Sequence, residues 1–267
     1  MWLTLGGHLS KQMAGFGGQK NSKRKKRKPQ QKQPISGESL RTNAINHHMR
    51  GDLANAEKSY REAIKTGYYH HSIFTNLGVI CKSTGRLDEA IRLYKRAIET
   101  SPDQADAYIN LGNLYCEIDN FEDALIFSNI GLELQPDNPN ALITLGSSHL
   151  QLRNFDQALA YTLQSLELKP DNPTALMNLG GIYTKLGNLD QALTYTLKSL
   201  KLKPDDPAAL LNLMSVYKEG DTHELKDFAL KAAAQNKNIL NNLNYIEAIS
   251  SLGEKFARTT VSIQIKH

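Results

Sequence analysis

Polar residues recur at one spacing along this chain. Thr42, Asn76, Asn110, Thr144, Asn178 and Asn212 each stand 34 residues after the one before. An amide both donates and accepts hydrogen bonds. A column of amides on one helical face can hold the backbone of an extended chain without demanding a particular sequence. The same groups can instead bond a neighbouring element and hold their own column together. If they face a ligand, replacing Asn110 and Asn178 with Ala weakens binding without unfolding. If they are structural, thermal stability collapses.

Other residue sets suggest less chemistry. His47 and His48 are adjacent, as are His70 and His71. Neighbours on a helix point in different directions, so neither pair converges on one ion, and no ligand spacing for a metal is present. His47 and His149 fall at inward positions and are expected in the core, and His70 and His71 at an exposed junction. Cys81 and Cys116 are 35 residues apart without a CxxC pair and read as small buried hydrophobes of a reducing compartment. HExxH, GxSxG and G-x-x-x-x-G-K-[ST] do not occur. The expectation is therefore a chain that is not itself an enzyme and uses no metal or cofactor.

The densest charge is Lys23, Arg24, Lys25, Lys26, Arg27 and Lys28. Residues 1–36 hold nine Lys or Arg and no acid, leaving 23 basic against 27 acidic residues in the rest. The basic character belongs to the tail, and the body is mildly acidic. The tail lacks an apolar period and is expected to be disordered. No aromatic residue interleaves its basic run, so base stacking is not expected. The plain reading of that run is a solvated, solubilising tail; the sharper one is nonspecific, salt-sensitive contact of residues 20–28 with nucleic acid or an anionic membrane surface. No apolar stretch is long enough for a transmembrane span, no signal peptide is recognisable, and a cytoplasmic location is expected. Met13, followed by AGFGG, offers a second start.

The elements that must carry the polar column repeat with it. Gly78, Gly112, Gly146 and Gly180 fall at position 8 of a 34-residue frame. Ala56, Ala90, Ala124, Ala158 and Ala192 fall at position 20, and Pro102, Pro136, Pro170 and Pro204 at position 32. Such self-similarity outranks local propensity. Each unit reads as two helices. In ADAYINLGNLYCEI, Tyr108, Leu111, Leu114 and Tyr115 share a face; in FEDALIFSNIGLEL, Phe121, Ala124, Leu125, Leu132 and Leu134 are mostly inward. In PDNP the first proline stops a helix. The second opens the next one, with Asp137 or Asn138 as cap. A glycine inside a helix costs about 1 kcal/mol relative to alanine. Its recurrence opposite a recurring alanine implies two closely approaching backbones, with Gly180 facing Ala192. Gly181 lies outside that phase and has no packing reason.

These marks resemble the tetratricopeptide repeat (TPR), whose period is 34 residues. The pattern is carried by Tyr108, Leu111, Gly112, Tyr115, Ala124 and Pro136 in one unit. In another it is carried by Leu176, Leu179, Gly180, Tyr183, Ala192 and Pro204. The resemblance implies an all-α, right-handed superhelical α-solenoid of about six helix-turn-helix hairpins plus a C-terminal capping helix. The units are 37–70, 71–104, 105–138, 139–172, 173–206 and 207–240. The first and last depart most. Ala44 and Met214 replace the glycine, and the last turn is one residue short at Gly220. End units have only one neighbour. Residues 237–258 continue as an amphipathic capping helix through Ile239, Leu243, Ile246, Ile249, Leu252 and Phe256. Residues 259–267 alternate as a strand would, and read as a frayed tail or the remnant of a following domain.

In TPR superhelices the first helices line a concave groove. By similarity to the TPR arm of O-GlcNAc transferase, Asn76, Asn110, Asn178 and Asn212 inherit contact with a peptide backbone. Thr144 and Asn113 belong to the same groove. Ile109, Ile143 and Met177 add apolar contacts. Arg41, Lys82 and Lys185 are scattered and form no obvious carboxylate clamp. The resemblance therefore implies a scaffold that binds an extended peptide or partner protein. The alternatives are the recognition arm of a larger modifying enzyme, such as a glycosyltransferase, and an adaptor attached through its basic tail.

Overall fold

Each of the first five 34-residue periods becomes two helices joined by a tight turn. In the computed structural model, residues 36–219 are described. The first helices are α1 (Gly37–Met49), α3 (His71–Ser83), α5 (Ala105–Glu117), α7 (Pro139–Gln151), α9 (Pro173–Lys185) and α11 (Pro207–Glu219). The second helices are α2 (Leu53–Lys65), α4 (Leu87–Thr100), α6 (Phe121–Leu134), α8 (Phe155–Leu168) and α10 (Leu189–Leu202). The described residues thus make five complete hairpins and the first helix of a sixth. They form an all-α repeat solenoid. The expectations for the basic run, the turn at Gly220, the capping helix and the strand-like end lie outside the described residues.

Local chemistry sets the boundaries. Ser36, placed in the tail by sequence, instead caps α1: its Oγ accepts from Ser39 N at 3.2 Å. Asn138 and Asn172 cap α7 and α9 by accepting from two backbone N–H groups each, and Pro139 and Pro173 follow where a missing N–H is harmless. In the complete hairpins the turn passes through one left-handed residue: Gly51, Gly85 and Gly187 at φ of 75–76°, and Asp119 and Arg153 at 61°.

The core confirms the repeating marks and changes their partners. Ala56, Ala90, Ala124, Ala158 and Ala192 are fully buried. A Cβ on Gly180 would overlap Thr196 Oγ1, whereas the Ala192 carbonyl lies 3.4 Å away. Gly146 meets Thr162, Gly112 meets Ser128 and Gly78 meets the Tyr94 ring in the same way. The glycine thus makes room for the residue four places after the alanine. Tyr108, Leu111, Leu114 and Tyr115 are buried as expected, but on α6 the buried residues are the small Ala124, Ser128 and Gly131. Leu134 is 41% exposed, and so points outward rather than in. Close helix approach needs small residues on the inner face, so the bulky ones turn to the edge.

Candidate binding groove

The first helices form a continuous layer, with α3 on α5, α5 on α7, α7 on α9 and α9 on α11. Residues spaced by three or four along a helix share a face. On α5 that stripe is Asp106, Asn110, Asn113 and Glu117. Its hydrogen bonds identify it as the face turned across the layer. Lys82 of α3 donates to Asn113 Oδ1, and also to Glu117 Oε1 at 2.7 Å.

The polar column divides within this layer. Asn178 is 3% exposed, and its Nδ2 donates to Ser147 Oγ of α7 at 2.7 Å. Asn212 Nδ2 donates to the Met177 carbonyl of α9 at 2.8 Å. Asn76 Nδ2 donates to Tyr60 Oη of α2 at 3.0 Å. Thr144 is 3% exposed and turns back to the Asn140 carbonyl of its own helix at 3.0 Å. Asn110 remains half-buried on the stripe, and no hydrogen bond engages its amide among the described residues. Ile109 is buried, while Ile143 and Met177 are half-buried.

Position 9 of the preceding unit explains the division. The residue 31 places before Asn178 is Ser147, which accepts its proton. The one 31 places before Asn212 is Gly181, which lets the amide pass to a carbonyl beyond. Before Asn110 it is Val79, which offers no polar side-chain atom. The tyrosine equivalent to Tyr60 in the next unit is Tyr94. It is fully buried with no hydrogen-bond partner, and burial pushes its phenol well above the ordinary range. Gly181 therefore has a packing role that the sequence alone did not show. A Cβ there would stand 3.3 Å from Asn212 Oδ1.

Between α7, α9 and α11 the layer opens into a hollow of about 470 Å³, bordered by Asn212, Gly181, Thr184 and two cations, Arg153 and Lys185. Sequence reasoning alone does not reach Arg153. The signal for it was its place in the frame, where three other units carry glycine.

The histidines behave differently from expectation. His47 is not core: its ring is half-buried, with Nδ1 2.9 Å from Asp52 Oδ2. His149 is half-buried and stacks on Tyr161 at a centroid distance of 5.6 Å. His70, expected to be exposed, is half-buried and caps α3. Cys81 is buried, which pushes its thiol up to about 11, and Cys116 is half-buried. Among the described residues no group of three or more His, Cys, Asp or Glu is placed to hold a metal ion. No helix there is long and apolar enough to cross a membrane.

Comparison with known proteins agrees with this geometry. Residues 75–118 match a family model described as TPR repeat, and residues 143–207 one described as tetratricopeptide repeat. No curated protein sequence matches the chain. Among solved structures, the chain is similar to PilW, a type IV pilus biogenesis factor, at 18% identity and a TM-score of 0.64; the match covers 76% of this chain and 96% of that one. It is similar to a chain of the Cut9–Hcn1 complex of the APC/C at 17% identity and a TM-score of 0.66, covering 82% of this chain and 43% of that one. It is also similar to YrrB, a TPR protein with an unusual peptide-binding site, at 23% identity and a TM-score of 0.53, covering 68% and 95%.

Proposed function

The chain is a tetratricopeptide repeat protein, and from that premise we propose that it is a non-enzymatic scaffold holding an extended peptide segment of a partner protein against its first helices. The observation that carries this reading is Asn110. It is the one asparagine of the repeating column whose amide is not engaged by a neighbouring helix among the described residues. Its half-exposed amide can accept from one backbone N–H and donate to one backbone C=O of a passing strand. Ile143 and Met177, half-buried on the next two first helices, offer the strand apolar contact. The similarity to YrrB, a TPR protein with an unusual peptide-binding site, supports the reading by analogy.

The test separates binding from folding. A peptide selected from a random library against the full chain binds the Asn110→Ala variant roughly tenfold or more weakly, while a half-buried substitution that breaks no internal hydrogen bond changes stability by less than about 0.5 kcal/mol. Asn178→Ala removes a buried hydrogen bond and lowers stability by about 1–2 kcal/mol. Equal binding by wild type and Asn110→Ala would remove the support for the groove.

A further inference from the structure

We propose that the hollow between α7, α9 and α11 is an anion-selective subsite of this groove, taking an acidic side chain of the bound peptide with a large apolar residue beside it. The inference rests on the groove reading and deepens it.

Three independent observations converge on Arg153. The first is backbone conformation. The turn position of each complete hairpin is left-handed, and Gly51, Gly85 and Gly187 occupy it in three of the five. Asp119 belongs to a residue type that tolerates this region. An arginine at φ 61° does not, and holds a conformation that glycine would take without strain. A strained residue kept where a relaxed one is available points to a task for its side chain.

The second observation is that no described carboxylate pairs with it. Residues 97–152 contain nine acids and no Lys or Arg. Yet no carboxylate lies within ion-pair distance of Arg153 or Lys185 among the described residues. Lys82, by contrast, is held by Glu117.

The third is the wall of the hollow. Arg153 and Lys185 both border it, and among the described residues no acid does. Leu150, Phe155 and Leu211 border it too, and Leu211 is 60% exposed. A guanidinium matches a carboxylate with two parallel N–H bonds, and the leucines and phenylalanine match an adjacent apolar side chain.

The experiment selects a random-peptide library, fused to a coat protein through its C-terminus, on the full-length wild type and on Arg153→Gly. The fusion presents no terminal carboxylate, so any selected anion is a side chain. The expected result is wild-type enrichment of Asp or Glu next to Leu, Ile or Phe, absent from the Arg153→Gly selection. The best peptide should lose roughly tenfold or more in affinity when its acid is changed to the amide. Arg153→Gly should at the same time melt a few degrees higher, because glycine relieves the turn. Peptides recovered without acidic enrichment, or with the same enrichment on Arg153→Gly, would overturn the subsite and leave the groove standing. Recovery of no peptide would overturn both. A lower melting temperature for Arg153→Gly would make the arginine structural and sink the proposal.

Discussion

Asn212 crosses from α11 to α9 directly over Gly181: its Nδ2 reaches the Met177 carbonyl at 2.8 Å, and a Cβ on Gly181 would stand 3.3 Å from its Oδ1. Gly180, one residue earlier, faces a different neighbour, within its own hairpin, where a Cβ would overlap Thr196 Oγ1. Two neighbouring glycines thus serve two different contacts.

Substituting each with alanine should separate those contacts. Both changes gain about 1 kcal/mol of helix propensity. Gly180→Ala also drives a methyl into a fully buried, β-branched side chain, an overpacking that costs about 1–3 kcal/mol. It is expected to destabilise, and Thr196→Ala in the same chain should recover most of the loss by clearing the space. Gly181→Ala needs Asn212 to yield only a few tenths of an ångström, so stability should stay within about 0.5 kcal/mol of wild type. Urea denaturation of the three variants checks this. Equal losses for Gly180→Ala and Gly181→Ala would refute the assignment of separate contacts.

The repeat was legible in the sequence because its marks are backbone constraints. A proline that ends a helix, an asparagine that caps one and an alanine at a close approach act where they stand, so their spacing alone places the helices. The partner of Gly180 was less legible. Ala192 and Thr196 lie one helical turn apart, and only the packing decides which meets the glycine. The polar column was least legible. Asn110 and Asn178 share a frame position, yet one is half-buried with its amide unengaged among the described residues and the other is buried and bonded. The difference lies 31 residues upstream, in whether Val79 or Ser147 stands opposite, and it appears only once the helices are stacked. Arg153 was only faintly legible: glycine at its frame position in three other units hints at a left-handed turn, but which residues its side chain joins appears only once the helices are stacked.

An ion-pair network joins the first two hairpins and predicts acid sensitivity. Glu57 of α2 accepts from Arg86 Nη2 at 2.7 Å and from Arg61 Nη2 at 2.7 Å, and Arg61 also reaches Glu89 of α4 at 2.7 Å. The hydrogen bonds from Arg86, more than those from Arg61, hold the Glu57 carboxyl down at about 2 against the opposing effect of burial. A carboxylate depressed in the fold stabilises it above the unfolded value of 4.5, and that stability is lost as pH falls from there towards 2. The arginines are 36–39% exposed, so the contribution is discounted to about 1–2 kcal/mol. Glu57→Gln should lose about that much near neutral pH, with a shallower fall in stability through the acid range. Parallel pH profiles for variant and wild type would show that the network contributes nothing.

The junction between the first two hairpins should also respond nearer neutrality, through His70. Its Nδ1 accepts from Ser72 N at 3.2 Å and lies 2.9 Å from Ser72 Oγ, capping α3. The Tyr68 ring stacks at a centroid distance of 6.4 Å, and the His71 ring lies 4.5 Å away, tilted. Burial first, then the charges of His71 and Arg41, push His70 below its ordinary value, and Glu38 opposes them. A histidine depressed in the fold binds fewer protons folded than unfolded. Its contribution is therefore complete above about pH 6.5, and declines as pH falls through that value towards the lower folded one. Protonation at Nδ1 removes the cap acceptor and puts a positive charge at a helix N-terminus, where it is unfavourable. His70→Ser keeps an acceptor that does not titrate. The wild type should lose about 0.5–1 kcal/mol more than His70→Ser between roughly pH 7.5 and 5.5, the worth of a typical cap. Thermal melts of both proteins across that interval measure the difference, and coincident slopes would mean that His70 does not titrate as a cap.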